Sequence, residues 1–384
     1  MRQLTHVRTR RLEWREAPEP ALEGPGEALV RPIAAARCDL DYLLLRYPVS
    51  AGLHFGAALG LVDSGVRSCF GRPPFGGPFA VGHECVAEVI RCGADVQRFA
   101  TGAVVIVPYQ ISCGQCPSCL RGITSHCMAS KKPLATYGFG EGTGSWGGSV
   151  SDVVRVPYAD HMLVRLPDGI DPAEMASASD NLPDAWRTVG PSLRDSPGAS
   201  VLVVGGGARS IALYAVAIAK ALHAEHVDYV DWDRTRMEIA ARLGANVIEP
   251  IRGQRFPPSA SLPRRYRVSV DASSLERGLE LALRSLEPGG ICTSVCPYFR
   301  SRTPIPLFQM YVDGITLKTG MVNARVHIPD ILDLVASGRL TPSLITTLVA
   351  DWNDADRAFL ERTTKVVVTR KAIHAESDAH RARP

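Results

Sequence analysis

Short Val-, Ile- and Ala-rich runs broken by glycine and proline fill the first 165 or so residues. Residues 24–36, "GPGEALVRPIAAA", and 80–107, "AVGHECVAEVIRCGADVQRFATGAVVIV", read as strands joined by tight turns, and 148–167 continue in the same way. After "LPDGIDPAEMASASD" the pattern changes. "SVLVVGGG" reads as a buried strand ending in glycines, and "ARSIALYAVAIAKALH" as a long apolar helix. "HVDYVDWD" and "RTRMEIAARLGA" repeat the pair, as do "RYRVSVDAS" and "LERGLELALRSLEPGG", before the strand "ICTSVCPY". Such alternation predicts an open parallel sheet with helices on both faces. From about 320, "HIPDILDLVASGRL" reads as a helix and "KVVVTR" as a closing strand, with a polar tail, 371–384, expected to fray.

The fold class predicted is therefore α/β: a β-rich part and a doubly wound parallel sheet. A length of 384 residues suits two domains. Composition narrows the function classes. With 46% hydrophobic and 21% charged residues and a net charge of +4, the chain is an ordinary globular one rather than a nucleic-acid or membrane binder. No apolar run approaches the roughly 20 residues that span a bilayer, and the charged opening "MRQLTHVRTRRLEWREAPEP" lacks the apolar core of an export signal. A cytoplasmic location is expected.

In that reducing setting clustered thiols bind metal more often than they form disulfides. Cys113-x2-Cys116-x2-Cys119-x7-Cys127 lets one loop curl around an ion, and four thiolates satisfy the tetrahedral preference of Zn²⁺. Free or disulfide-bonded thiols and an iron–sulfur cluster, whose usual spacings differ, are the lesser alternatives. A site closed by four sulfurs leaves no position for a substrate, so the chemistry must lie elsewhere.

Gly205, Gly206 and Gly207 follow an apolar strand at the mouth of a helix, in the pattern G-x-G-x-x-S with Ser210 for the third glycine. There backbone N–H groups approach a pyrophosphate at the helix's positive end, beside Ala208 and Arg209. Asp231 closes the next strand, 26 residues after Gly205. An acid at this place accepts from ribose hydroxyls and repels a 2′-phosphate, favouring NAD(H) over NADP(H), with Arg236 one helical turn on as a ribose support.

Cys38 in "ARCDLDYL", His83 in "VGHEC" and Asp180 in "ASASDNLPDAW" are each weak signals alone. Taken in order with a Cys-x-x-Asp loop, Gly-His-Glu, the cysteine lobe, "GG…VRVPYAD…LPDG", the glycine turn and the closing "KVVV", they resemble the zinc-dependent alcohol dehydrogenase branch of the medium-chain dehydrogenase/reductase superfamily over nearly the whole chain. "SDNLPDAW" and "VRVPYAD" look most like its formaldehyde and polyol dehydrogenases. The resemblance implies a GroES-like catalytic domain over 1–173 and 321–384, carrying the structural zinc lobe at about 110–130, and a Rossmann domain over 174–320, with the active site in the cleft between them. It also implies two zinc ions per chain. Cys113, Cys116, Cys119 and Cys127 would hold the structural one; Cys38, His83 and Asp180 would hold the catalytic one with Glu84 beside it. The implied activity is interconversion of an alcohol and an aldehyde or ketone by hydride transfer, in a homodimer or homotetramer.

The pattern also breaks. Leu40 and Leu43 stand where the resemblance implies a Ser or Thr and a His that relay the alcohol proton, and leucine has neither donor nor acceptor. Asp39 would sit unfavourably near a pyrophosphate. The segment 46–78 is longer than the resemblance implies and is rich in Gly and apolar residues; it reads as a loop, expected either to roof the substrate cleft or to lie on the surface far from the zinc. Three readings follow: a dehydrogenase whose proton travels through water, His54 or Tyr42; a reductase of an iminium or activated alkene, which needs no such relay; or a zinc-stabilised dinucleotide binder without catalysis, which the full ligand set and Glu84 argue against. A pocket including Leu40, Leu43, Trp146 and part of the insertion implies an apolar or bulky substrate.

Overall fold

The structure, a computed structural model, describes residues 1–130, 132–250 and 253–373. Of the tail expected to fray, 374–384 lie outside the described residues. The chain forms two compact units: Met1–Asp180, Asn323–Pro329 and Thr346–Pro384 make one, and Asn181–Val322 with Asp330–Ile345 the other. No helix among the described residues is long and apolar enough to cross a membrane.

The first unit is built on β1 (Arg2–Arg8), β2 (Arg11–Glu16), β3 (Ala28–Ala36), β4 (Phe79–Ala80), β5 (Glu84–Cys92), β6 (Val104–Val107), β7 (Val154–Val156) and β8 (Val164–Arg165). The second unit holds β9 (Val201–Val204), β10 (Val227–Val230), β11 (Asn246–Ile248), β12 (Tyr266–Asp271), β13 (Leu286–Ser294) and β14 (Thr316–Lys318); β15 (Leu348–Asp351) and β16 (Val366–Thr369) then return to the first. Its main sheet runs β15-β16-β3-β5-β6-β8 with β7 paired to β3, and β2-β1-β4 form a small second sheet. β3 is buried at every position but Arg31, because both its faces are covered; its sequence is therefore an apolar run rather than an alternation.

In the second unit every strand pair is parallel, in the order β11-β10-β9-β12-β13-β14. This is the doubly wound arrangement, with β9, the "VLVV" strand, at its centre and fully buried. β13 starts earlier than the apolar pattern suggests. "LEPGG" belongs to the strand and bulges out between the pairings Tyr266–Leu286 and Val268–Ile291, with Gly289 at φ 75°.

The inserted segment is helical rather than a loop. Helices Val49–Ala58 and Ser64–Phe70 follow the helix Asp39–Arg46, and Asp63 caps the last of them by accepting from the Gly65 N–H.

Candidate metal centres

Three backbone devices bring Cys38, His83 and Asp180 together within the first unit. Cys38 caps the helix Asp39–Arg46: its Sγ accepts from the Leu40 N–H, and the Asp41 side chain accepts from the Cys38 N–H. One residue earlier, buried Arg37 donates to the carbonyls of Phe359, Glu361 and Thr363, fastening this corner to the chain leading into β16. His83 precedes β5 after Gly82, whose φ is 92° and where a Cβ would lie 2.7 Å from Ser149 Oγ and Val150 Cγ2. Only glycine fits there, which is the physical content of Gly-His-Glu. Asp180 ends a 3₁₀ turn pinned to β5 by Ser179, whose hydroxyl accepts the Cys85 N–H at 2.9 Å and donates to the Cys85 carbonyl at 3.0 Å.

Cys38 Sγ lies 3.2 Å and His83 Nε2 3.3 Å from Asp180 Oδ2, and the three donor atoms all lie within 4.8 Å of one another. All three residues are buried. Soft sulfur, imidazole nitrogen and carboxylate oxygen at that spacing fit the edges of a zinc tetrahedron with one corner left over. Electrostatics agree. Burial, Asp180 and Asp41 push the Cys38 thiol well up, and burial raises Asp41. Burial alone would lower His83, yet Asp41 and Asp180 together carry it to about 9. So many buried acids gathered at one point favour a dication in their midst.

Two residues here have roles the sequence did not reveal. Asp41 Oδ2 sits 3.6 Å from His83 Nδ1, a carboxylate charge that favours a proton on that side of the ring and the Nε2 face toward the cluster. Lys365 Nζ, fully buried, bonds Glu84 Oε2 at 2.6 Å and the Arg37 carbonyl at 3.1 Å. Asp41 was present only as the end of Cys-x-x-Asp and Lys365 as the start of "KVVV"; nothing in their spacing gives the partner.

Cys113, Cys116, Cys119 and Cys127 also converge within 4.8 Å. The loop aims amides at its sulfurs: Cys113 N–H donates to Cys127 Sγ, Cys116 N–H to Cys113 Sγ and Met128 N–H to Cys116 Sγ, at 3.3–3.4 Å. N–H donors from Cys119 and Met128 bring the Cys116 thiol down to about 6. Gly114 and Gly122, at φ 76° and 77°, make the turns. Four sulfurs solvated by amides fit a closed tetrahedral zinc.

In the second unit the glycine turn is cramped. A Cβ on Gly205 would meet Asp231 Oδ2 and Tyr229 OH at 2.6 Å, and one on Gly207 would meet Ser274 Oγ at 2.3 Å. Ala208 precedes the helix Arg209–Ala221, and Arg209 opens it. Ser210 is buried and its hydroxyl donates to Asn181 Oδ1 at 3.0 Å, so the serine tightens the helix contact a third glycine would merely permit. A bare backbone turn at a helix start fits a pyrophosphate. Asp231, however, is fully buried and its oxygens already accept from Tyr229 OH, the amides of Trp232 and Asp233, and Arg236. Arg236 is likewise committed to Asp231 and Asp233.

The insertion reaches the Cys38–His83–Asp180 cluster through a run of aromatic rings. Phe70 and Phe75 stack at 4.3 Å, Phe75 packs on Phe139 at 5.8 Å, and Phe139 lies 4.5 Å from the His83 ring. Tyr42 is held between Arg37 and Arg46 and bonds Arg362. Trp146 packs on the core of the unit beneath Arg155. His54 lines a cavity of about 350 Å³ with His6, Tyr47, Phe75 and Phe79. Among the described residues neither buried His6 nitrogen has a hydrogen-bond partner, and burial lowers its pKa from 6.5. The unfolded chain binds this proton more readily, so the neutral ring's contribution is present above about pH 6.5 and is lost as pH falls through the lower folded value. His6→Phe is expected to flatten the fall in melting temperature between pH 7 and 5; an unchanged slope counts against this assignment.

Residues 24–168 match the alcohol dehydrogenase GroES-like domain. A probable zinc-binding alcohol dehydrogenase of Mycobacterium tuberculosis is 28% identical over 342 residues, 89% of this chain and 80% of that protein. Glutathione-independent formaldehyde dehydrogenase of Pseudomonas aeruginosa is 28% identical over 240 residues, 59% of this chain and 57% of that one. Among solved structures, alcohol dehydrogenase TADH from Thermus sp. ATN1 superposes with a TM-score of 0.77 at 27% identity, covering 97% of this chain and all of that one. The chain thus carries an alcohol dehydrogenase GroES-like domain over residues 24–168 and is similar over most of its length to zinc-binding alcohol dehydrogenases of the medium-chain dehydrogenase/reductase type.

Proposed function

We propose that the protein is a zinc-dependent oxidoreductase interconverting an alcohol and an aldehyde or ketone, with NAD(H) as its dinucleotide. The convergence of Cys38, His83 and Asp180 on one buried point carries this reading. Bound there, Zn²⁺ would supply charge stabilisation of the substrate oxygen, and a nicotinamide would supply the hydride acceptor or donor. The chain's own residues hold and orient. Cys38, His83 and Asp180 are the ligands, Asp41 sets a negative charge 3.6 Å from His83 Nδ1, and Glu84 is a buried carboxylate that Lys365 keeps paired beside them. Cys113, Cys116, Cys119 and Cys127 hold the second zinc, a staple rather than a reagent. Gly205, Gly207, Ala208 and Arg209 make the pyrophosphate turn.

The test is NADH formation by the zinc-loaded protein across primary and secondary alcohols. Leu40 and Leu43, partly buried and without a donor, favour a second reading: reduction of an iminium or activated alkene. No NADH from any alcohol alongside turnover of those acceptors would decide for it. If alcohol is the substrate, Leu40→Ser is expected to raise alcohol turnover by about tenfold, short of the ~10²–10⁴-fold of a complete proton carrier because Leu43 still lacks a donor; an unchanged rate removes the relay from the account.

Assembly as a homodimer, or a homotetramer built from it, is part of the proposal. Its support is an open sheet edge at β14 next to the helix Leu307–Asp313, which exposes Leu307, Phe308, Tyr311 and Val312. Light scattering should give at least twice the chain mass, and Phe308→Asp should lower it.

A further inference from the structure

The buried carboxylate at the end of β10 is the residue from which NAD(H) selectivity was expected. Five donors already reach it. Oδ2 accepts from Tyr229 OH at 2.6 Å and Arg236 Nε at 2.7 Å; Oδ1 accepts from Arg236 Nη2 and the Trp232 amide at 2.7 Å and the Asp233 amide at 3.0 Å. A carboxylate has about four lone-pair directions, so no acceptor is left over for a ribose hydroxyl. Asp231 and Tyr229 have no exposed surface, and Arg236 is 4% exposed.

The charge is cancelled as well. A guanidinium held by two parallel hydrogen bonds neutralises the acid at contact distance, and one such pair presents little net field to an approaching anion. The neighbouring acid, Asp233, is itself engaged: its Oδ2 lies 3.3 Å from Arg236 Nη1 and its Oδ1 accepts the Arg236 amide at 3.1 Å. Exposed cations stand close by in the chain. Arg234, the first residue of the helix Arg234–Arg242, has a side chain that is 90% exposed, its ion pair with Glu238 reaching a loose 4.0 Å. Arg255 lies 5.1 Å from the ring of Trp232, whose indole in turn abuts the glycine turn, since a Cβ on Gly206 would meet it at 2.6 Å.

We infer that Arg236 sets the dinucleotide preference: by occupying and neutralising Asp231 it leaves the ribose end of the turn open to a 2′-phosphate, so the protein binds NADP(H) as well as NAD(H). This rests on the dehydrogenase reading above and modifies the selectivity that an acid at this position ordinarily confers.

The test is equilibrium binding to the zinc-loaded full chain, by quenching of tryptophan fluorescence with NADH and NADPH in separate titrations, confirmed by calorimetry. The two dissociation constants are expected to agree within about tenfold. Arg236→Leu uncovers the acid and should weaken NADPH relative to NADH by at least about tenfold, whereas Arg236→Lys, which keeps the charge, should hold the ratio near that of the parent. Asp231→Asn, which needs no change in volume, should move the NADH constant by less than about threefold, because ribose does not use this carboxylate. A parent preference for NADH beyond about a hundredfold, or a loss of NADH binding of about tenfold or more in Asp231→Asn, overturns the inference while leaving the dehydrogenase reading intact. Failure of both dinucleotides to bind the parent overturns that reading, and this inference with it.

Discussion

Cys38→Ser is expected to leave a folded protein that holds about one zinc per chain instead of about two and has lost at least about a thousandfold in kcat/KM, the equivalent of several kcal/mol of charge stabilisation. The reasoning is geometric. Cys38 Sγ and His83 Nε2 both face Asp180 Oδ2 at little more than 3 Å, and the spread of the three donor atoms is no wider than 4.8 Å. Replacing the thiol by a hydroxyl keeps the helix cap, because serine also accepts from the Leu40 N–H, but removes the soft sulfur ligand. Metal analysis separates this from general damage: the remaining equivalent should resist dialysis, since four cysteines of the lobe hold it. Retention of two equivalents with full turnover would show that the cluster is not the catalytic metal site.

The second large effect concerns stability. Lys365 and Glu84 are both fully buried and lie 2.6 Å apart. Deleting one member of a buried ion pair strands the other, at about 3–5 kcal/mol. Lys365→Met should therefore lower the unfolding free energy by about that amount in denaturant titrations. Glu84→Gln combined with Lys365→Met should recover much of it, since no unpaired charge is left. A single variant as stable as the parent would mean that the pair contributes nothing.

Much of this architecture is legible in the residues because several signals are local. The doubly wound sheet declares itself through apolar four-residue strands such as Val201–Val204 followed by amphipathic helices. The cysteine lobe is compressed into fifteen positions, so its convergence needs no knowledge of the rest of the fold. The insertion was less transparent. Its glycines and prolines read as a loop, whereas Asp63 and the packing of Phe70 and Phe75 make helices of it. Long-range partners were least visible. Asp41 against His83, and Lys365 against Glu84 across 281 positions, depend on how β3, β5 and β16 pair, and no periodicity encodes that. Asp231 shows a different limit: its place in the chain signals a ribose acceptor, but only the side-chain packing of Tyr229 and Arg236 shows that its lone pairs are spent.

The amide-solvated sulfur lobe also has a mechanical side. Next to it Ser125 donates, through its N–H at 3.0 Å and its hydroxyl at 2.9 Å, to the side chain of Asn323, the first residue of the stretch that rejoins the first unit. Gln110 and His161 grip the following two residues, accepting from the Ala324 amide and the Arg325 guanidinium. The lobe is thus a clasp on the homeward chain. If the lobe holds zinc as proposed, peroxide or a thiol reagent that displaces it would be expected to loosen that clasp first, so oxidative damage should begin as a fraying of residues 323–329 rather than at Cys38, His83 and Asp180.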